Sequence, residues 1–250
     1  MLGAKTFNMP CSDGTDVERI GNDAKGNGIT MTKIIAFEGI DGTGKSVQMQ
    51  QLAARLSNRG LLVKTISFPI YTSFFGNEIG KLLSGKDGVR ADQVDGKSMA
   101  LWFALDRFEA FRTFDYSDAD VLLINRYVLS NAVYQSIRDC DLGRPDLLDF
   151  VLSLEHDHFG IPRPDVHLVF DMSIDTAAQN VDQKGFRDYV GNARDVYESI
   201  PALQLRAREK YIEYSKRLDC VKILPCMGAD GLKSIESIGK LVDAALTDII

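Results

Sequence analysis

No apolar run in this 250-residue sequence approaches the about 18 residues that a membrane span requires. Basic residues are not in excess either. The formal net charge is −6, which disfavours a general nucleic-acid or membrane-surface role, because either favours a basic face. A small basic pocket for phosphates remains compatible with that balance. The four cysteines, Cys11, Cys140, Cys220 and Cys226, are widely spread and form no CxxC pair. Unpaired thiols in a reduced compartment, the cytoplasm, are expected rather than a disulfide framework. His156 and His158 form an HxH pair with no cysteine or third histidine nearby, so they are expected to be solvated or capping residues and not metal ligands.

What is present is an ordinary globular composition, 45% hydrophobic, in a chain long enough to bury a substantial core. Residues 1–32 are poor in large apolar side chains and contain GNDAKGNG at 21–28, which reads as a flexible extension. They have neither the apolar centre of a secretory signal nor the acid-poor pattern of a transit peptide. From Lys33 onward apolar runs at 34–38, 61–68, 120–124, 165–170 and 221–224 read as strands. Helical patterns lie between and after them, near 45–59, 76–84, 97–113, 128–138, 145–158, 173–181, 195–218 and 231–248. This alternation predicts one α/β domain over 33–250, a three-layer sandwich with a five-stranded parallel sheet between helices.

Ligands of such sheets bind beyond the carboxyl ends of the strands. The residues found there are GIDGTGKS, PIY, NRY and DMS after the first four strands. Gly39 to Ser46 matches GxxxxGK[ST] between a strand and a helix, the P-loop pattern of a nucleoside triphosphate site. Gly39, Gly42, Thr43, Gly44, Lys45, Ser46 and Val47 are the expected ATP-binding residues. The glycines turn backbone N–H groups toward the phosphates, Lys45 reaches the outer ones, and the Ser46 hydroxyl is offered to Mg²⁺. No NKxD motif marks a guanine-specific switch. A motor ATPase needs an acid after an apolar strand, and the third strand ends in Asn125; only Asp171 after the fourth keeps that reading open.

A kinase of a small substrate needs a second pocket facing the γ-phosphate. On the helix after NRY, Asn131, Tyr134, Gln135 and Arg138 fall on one face. On another helix Phe103 and Arg107 stand at i and i+4, a ring and a guanidinium suited to stacking on a nucleobase and bonding its carbonyl oxygen.

The motifs FEGIDGTGKS, SFPIY, ALWFALDR, NRYVLSNAVYQ, RPD and ARDVYE, in this order, make the chain resemble the thymidylate (dTMP) kinases of the P-loop nucleoside monophosphate kinase group. The resemblance runs from about Lys33 to at least Ser215 and implies ATP-dependent conversion of dTMP to dTDP by a homodimer. It implies that Asp41 holds the sugar 3′-hydroxyl and, with Ser46, attends the metal. Phe68 would border the acceptor, Phe103 would stack on thymine, and Arg107 would bond its O4. Arg126 would grip the acceptor phosphate, Asn131 or Gln135 would meet the base edge, and Tyr134 would crowd the sugar 2′ position. Residues 181–194 are the expected lid, with Lys184, Arg187 and Arg194 as its cations and Arg187 the preferred catalytic one.

Two positions depart from the family pattern: Asn125 stands where Asp is usual, and FPIY lacks the arginine many members carry. The alternatives are therefore a kinase of another deoxynucleoside monophosphate or of a nucleoside, or a nucleotide-binding protein with impaired turnover.

Overall fold

The computed structural model describes residues 31–85, 88–182 and 194–250. Strands β1 (Lys33–Glu38), β2 (Val63–Ser67), β3 (Val121–Asn125), β4 (Val166–Asp171) and β5 (Val221–Pro225) form one parallel sheet in the order β2-β3-β1-β4-β5. Ile34 to Phe37 and Val121 to Ile124 are buried along their whole runs, because helices cover both faces. Those helices include α1 (Lys45–Asn58), α2 (Phe74–Ser84), α3 (Gly96–Phe111), α4 (Val128–Asp141), α5 (Leu148–Leu152), α6 (Ile174–Asp182), α7 (Pro201–Tyr214) and α8 (Ile235–Leu246). The fold is the expected α/β sandwich.

The register aligns the chemistry. Phe37 pairs with Asn125 and Glu38 with Val169, so β1 and β3 end within a residue of each other and β4 runs two residues further, to Asp171. With β2 and β3 on one side of β1, and β4 and β5 on the other, the crevice opens above β1.

Four local differences have physical causes. The pattern over 195–218 predicts helix, yet α7 begins at Pro201, the residue type suited to a first helical position. Before it, Asp195 and Glu198 each accept the other's backbone N–H, at 2.8 and 3.1 Å, closing a turn. The segment 145–158 is α5 followed by a π-helical turn at Ser153–His158. Over 231–248, an antiparallel pair, β6 (Met227–Gly228) with β7 (Gly231–Leu232), precedes α8, which Ser234 caps by accepting from the Ser237 N–H. Helix α2 starts earlier than 76 because Ser73 accepts the Gly76 N–H at 2.9 Å.

Cys140 and Cys226 are free thiols, but Cys220 is disulfide-bonded, which corrects the expectation of unpaired cysteines for that residue. Distance along the chain says nothing of distance in space. Among the described residues no helix is long and apolar enough to cross a membrane.

Candidate active site

The loop between β1 and α1 takes its shape from glycine. Gly39, Gly42 and Gly44 have φ of 127, 81 and 81°, a left-handed region that side chains rarely adopt. At Gly42 a Cβ would also stand 2.0 Å from the Ala177 carbonyl oxygen of α6, so no other residue fits. Lys45 folds its ammonium into the loop, donating to the Gly39 carbonyl at 3.0 Å, the Ile40 carbonyl at 2.6 Å and Thr43 Oγ1 at 3.3 Å. Ser46 and Val47 are exposed on the first turn of α1.

The end of β3 faces this loop. Asn125 Nδ2 is 3.5 Å from Ser46 Oγ, and Asn125 Oδ1 is buried without a hydrogen-bond partner among the described residues. Arg126 has φ 60°, a sparsely populated backbone state for a residue with a side chain. Its N–H donates to the Phe37 carbonyl at 3.0 Å, and its guanidinium pairs with Asp41 at 2.5 Å while lying 5.9 Å over the Tyr134 ring. Burial works against the Arg126 charge, but Asp41, with Tyr134, Tyr211 and Glu38 adding to it, raises its pKa well above the usual value.

The turn that follows is fixed from below. Buried Glu38 accepts the Tyr127 N–H at 3.0 Å and the Ser130 N–H at 3.3 Å, satisfying donors at the start of α4. Its pKa is lowered although burial alone would raise it. The bond and charge of His167, 3.5 Å away, lead the opposing effects, with Ser130 and Arg126 adding to them.

Every residue expected at the acceptor (Asp41, Phe68, Phe103, Arg107, Arg126, Asn131, Tyr134 and Gln135) lines one cavity of about 340 Å³ beside the loop. The sequence stripe on α4 does share one face, but its polar atoms are partly committed. Gln135 Oε1 accepts from Arg138 at 3.3 Å and from the Tyr197 hydroxyl at 3.3 Å. Tyr134 stacks parallel on Tyr197 with centroids 5.5 Å apart. Burial first, then Asp41, raises the Tyr134 pKa far above its ordinary value, so the phenol stays a neutral donor.

Arg107 is held by a residue that sequence reasoning missed. Glu155, in the π-helical turn, takes its Nε at 2.5 Å and Nη2 at 2.6 Å, and both side chains are almost wholly buried. Burial disfavours the guanidinium charge and Glu155 more than restores it. The Asn131 amide donates to Glu155 at 2.8 Å and to the Ala100 carbonyl at 3.0 Å, leaving Asn131 Oδ1 buried and without a hydrogen-bond partner among the described residues. The cavity wall thus carries a guanidinium and an unused carbonyl acceptor beside Phe68 and Phe103.

Asp195, Tyr197 and Glu198 of ARDVYE also line the cavity. The D-x-x-E spacing was the signal that could have found two of them. Gln204, missed too, gave no signal. Asp171 is bidentate with Arg208, at 2.5 and 3.0 Å, which commits the acid that kept a motor ATPase open. Lys184 and Arg187 lie outside the described residues. Arg194 pairs with Asp182 at 2.7 Å. His156 is buried with Nδ1 2.8 Å from the Ile161 carbonyl, a capping rather than solvated histidine. No group of three or more His, Cys, Asp or Glu among the described residues is arranged to hold a metal ion.

Residues 37–223 match the family model for thymidylate kinase. The chain is 33% identical over 183 residues to the thymidylate kinase of Mycobacterium tuberculosis, covering 72% of this chain and 84% of that one. It is 32% identical over 188 residues to a probable thymidylate kinase of Methanococcus aeolicus, with 73% and 79% covered. The fold is similar to that of the Candida albicans thymidylate kinase, with a TM-score of 0.65 at 20% identity over 87% of this chain and 92% of the other.

Proposed function

The chain belongs to the thymidylate kinase family, an ATP-dependent kinase of dTMP, and we propose that its phosphate loop and the adjoining cavity carry that reaction with the residues named above. One observation supports this most directly. Arg126 lines the cavity, and its guanidinium pairs with Asp41 of the phosphate loop, so one cation touches both halves of the site. The acceptor phosphate, a dianion, competes with Asp41 for that guanidinium and frees the Asp41 carboxylate for the sugar 3′-hydroxyl.

Lys45 leaves the loop carbonyls for the β- and γ-phosphates of ATP, whose charge exceeds that of two carbonyl dipoles. Phe103 stacks on the base, Arg107 donates to its O4, and Asn131 Oδ1 accepts the ring N3–H. Tyr134 occupies the space beside the sugar 2′ carbon. Phosphoryl transfer asks for positioning and charge stabilisation, which these groups supply.

Mg²⁺ fits the oxygen-rich edge of the loop. It is a hard cation that keeps water and phosphate ligands, so it needs few protein ones. The Ser46 hydroxyl and the partnerless Asn125 Oδ1 are neutral oxygens of the kind it takes directly or through water. Asp41 attends it only when released by Arg126. When bound, Mg²⁺ neutralises charge on the transferring phosphoryl group. A lid over residues 181–194, with Arg187 for the transferring phosphate, is part of this proposal, and residues 183–193 lie outside the described residues. A homodimer working in the cytoplasm completes this reading.

The test is a coupled ADP-release assay over dTMP, dUMP, dCMP and dGMP, with and without Mg²⁺. Turnover restricted to dTMP and dUMP supports the base contacts; equal turnover of dCMP rejects Asn131 as an acceptor from N3–H.

A further inference from the structure

We propose that Gln204, on α7, is a positioning residue that enforces discrimination at the sugar 2′ position by anchoring Tyr134 to the phosphate loop. The inference rests on the assignment of Tyr134 made above and adds the group that holds it in place. Gln204 is 6% exposed, and its amide makes four hydrogen bonds. Oε1 accepts the backbone N–H of Asp41 at 3.2 Å and the hydroxyl of Tyr134 at 3.2 Å. Nε2 donates to the Asp41 carboxylate at 3.4 Å and to the Tyr197 carbonyl at 3.0 Å.

The chemistry of these partners fixes the amide in one orientation. Both groups at the oxygen are donors, and both at the nitrogen are acceptors. No other side chain of this length offers that pair. A glutamate would set charge against the Asp41 carboxylate and the Tyr197 carbonyl. A methionine fills the space and makes none of the bonds.

Three walls of the site therefore meet at one amide. Asp41 opens the phosphate loop and pairs with Arg126, while Tyr134 and Tyr197 are stacked on each other. The Tyr134 ring is confined on its faces by Tyr197 and by Arg126, so stacking fixes its plane. Sliding within that plane is limited by the hydroxyl, and Gln204 is the acceptor it meets. Without that anchor the ring can withdraw from the sugar, and a 2′-hydroxyl gains room.

The experiment measures kcat/KM for dTMP and for its ribose counterpart, 5-methyluridine monophosphate. It compares the wild type with Gln204→Met, Gln204→Glu, Tyr134→Phe, Tyr134→Ala and the Tyr134→Phe/Gln204→Met double variant. Gln204→Met is expected to lower the deoxyribose preference roughly tenfold with the KM for ATP changed by less than about twofold. Tyr134→Phe, which leaves Gln204 in place and removes the anchored hydroxyl together with its contact to Arg126, should lower it at least as much, and the double variant should match Tyr134→Phe. Gln204→Glu should depress dTMP turnover further. If Gln204→Met does not fold, Tyr134→Phe alone carries the comparison. A preference unchanged in both Gln204→Met and Tyr134→Phe but relaxed in Tyr134→Ala overturns the anchor and leaves the Tyr134 assignment standing. A preference unchanged in Tyr134→Ala overturns both.

Discussion

At the scale of single residues the site runs on charges whose partners change. Lys45 is neutralised in part by its own loop, and Arg126 by Asp41. Each is stored against a weaker partner than the phosphate it awaits, so ligand binding needs no new charge to be buried. Lys45→Ala is expected to abolish turnover with a melting temperature near that of the wild type, because the glycines and not the lysine set the loop. Retained Mg²⁺-dependent activity would remove the loop from the mechanism. Arg107 differs, since its partner Glu155 is structural and permanent. Removing one member of a buried pair strands the other, so Glu155→Ala should cost roughly 3–5 kcal/mol in a urea titration. It should also raise the KM for dTMP and leave that for ATP alone. Stability loss without a KM effect would make the pair purely a core feature. Asn125 keeps the shape of a carboxylate without its charge, so Asn125→Asp should lower the Mg²⁺ concentration for half-maximal rate and raise kcat. If activity falls instead, the site is built around the amide.

At the scale of elements, strands and their carboxyl ends were legible because apolar runs and glycine turns are local signals. The GIDGTGKS loop, NRY and the α4 stripe follow from spacing alone, and each is where spacing put it. Glu155 and Gln204 were not legible. Gln204 meets Asp41 across 163 positions, and only the packing of α7 on the loop creates the contact. The π-helical turn at Ser153–His158 was invisible for the same reason: it carries Glu155 to Arg107 and buries His156, and neither need shows in the periodicity. That turn has a consequence for pH. Burial drives the His156 pKa from 6.5 to about 4, opposed by the Ile161 carbonyl it donates to and reinforced by Arg163 and His167. Between those values the unfolded chain binds a proton that the folded one refuses. The stability this histidine contributes is complete above 6.5 and is lost as pH falls toward 4. From about pH 7 to about pH 5 the wild type should lose about 2 kcal/mol more than His156→Gln, whose amide can still donate to Ile161. Equal losses in the two proteins, read from urea midpoints, would show His156 charging freely in the fold.

At the scale of the molecule the net charge of −6 extends into the cavity, where Arg107 and Arg126 stand among Asp41, Asp195 and Glu198, so the cations that face the phosphates are held in place by acids. The surface has one further feature that bears on assembly. Phe74 on α2 is 64% exposed and Leu101 on α3 is 40% exposed. The two helices are joined beneath by Phe75 against Trp102, with ring centroids 6.0 Å apart. Large apolar side chains left outside on a firmly packed helix pair suit burial against a second copy. The same pair controls one wall of the acceptor cavity: Asp106 of α3 holds the Ile70 N–H at 3.0 Å and the Ser73 hydroxyl at 2.9 Å, fixing the segment after Phe68. Sedimentation of the wild type should therefore give about twice the 27.7 kDa chain mass, and Phe74→Glu should shift it to one chain. Because α2 then loses its support, the KM for dTMP should rise several-fold with the KM for ATP unchanged. A wild type that sediments as one chain rules out the dimer. A Phe74→Glu protein that stays paired places the contact on another face, and a monomer with unaltered KM separates assembly from the acceptor site.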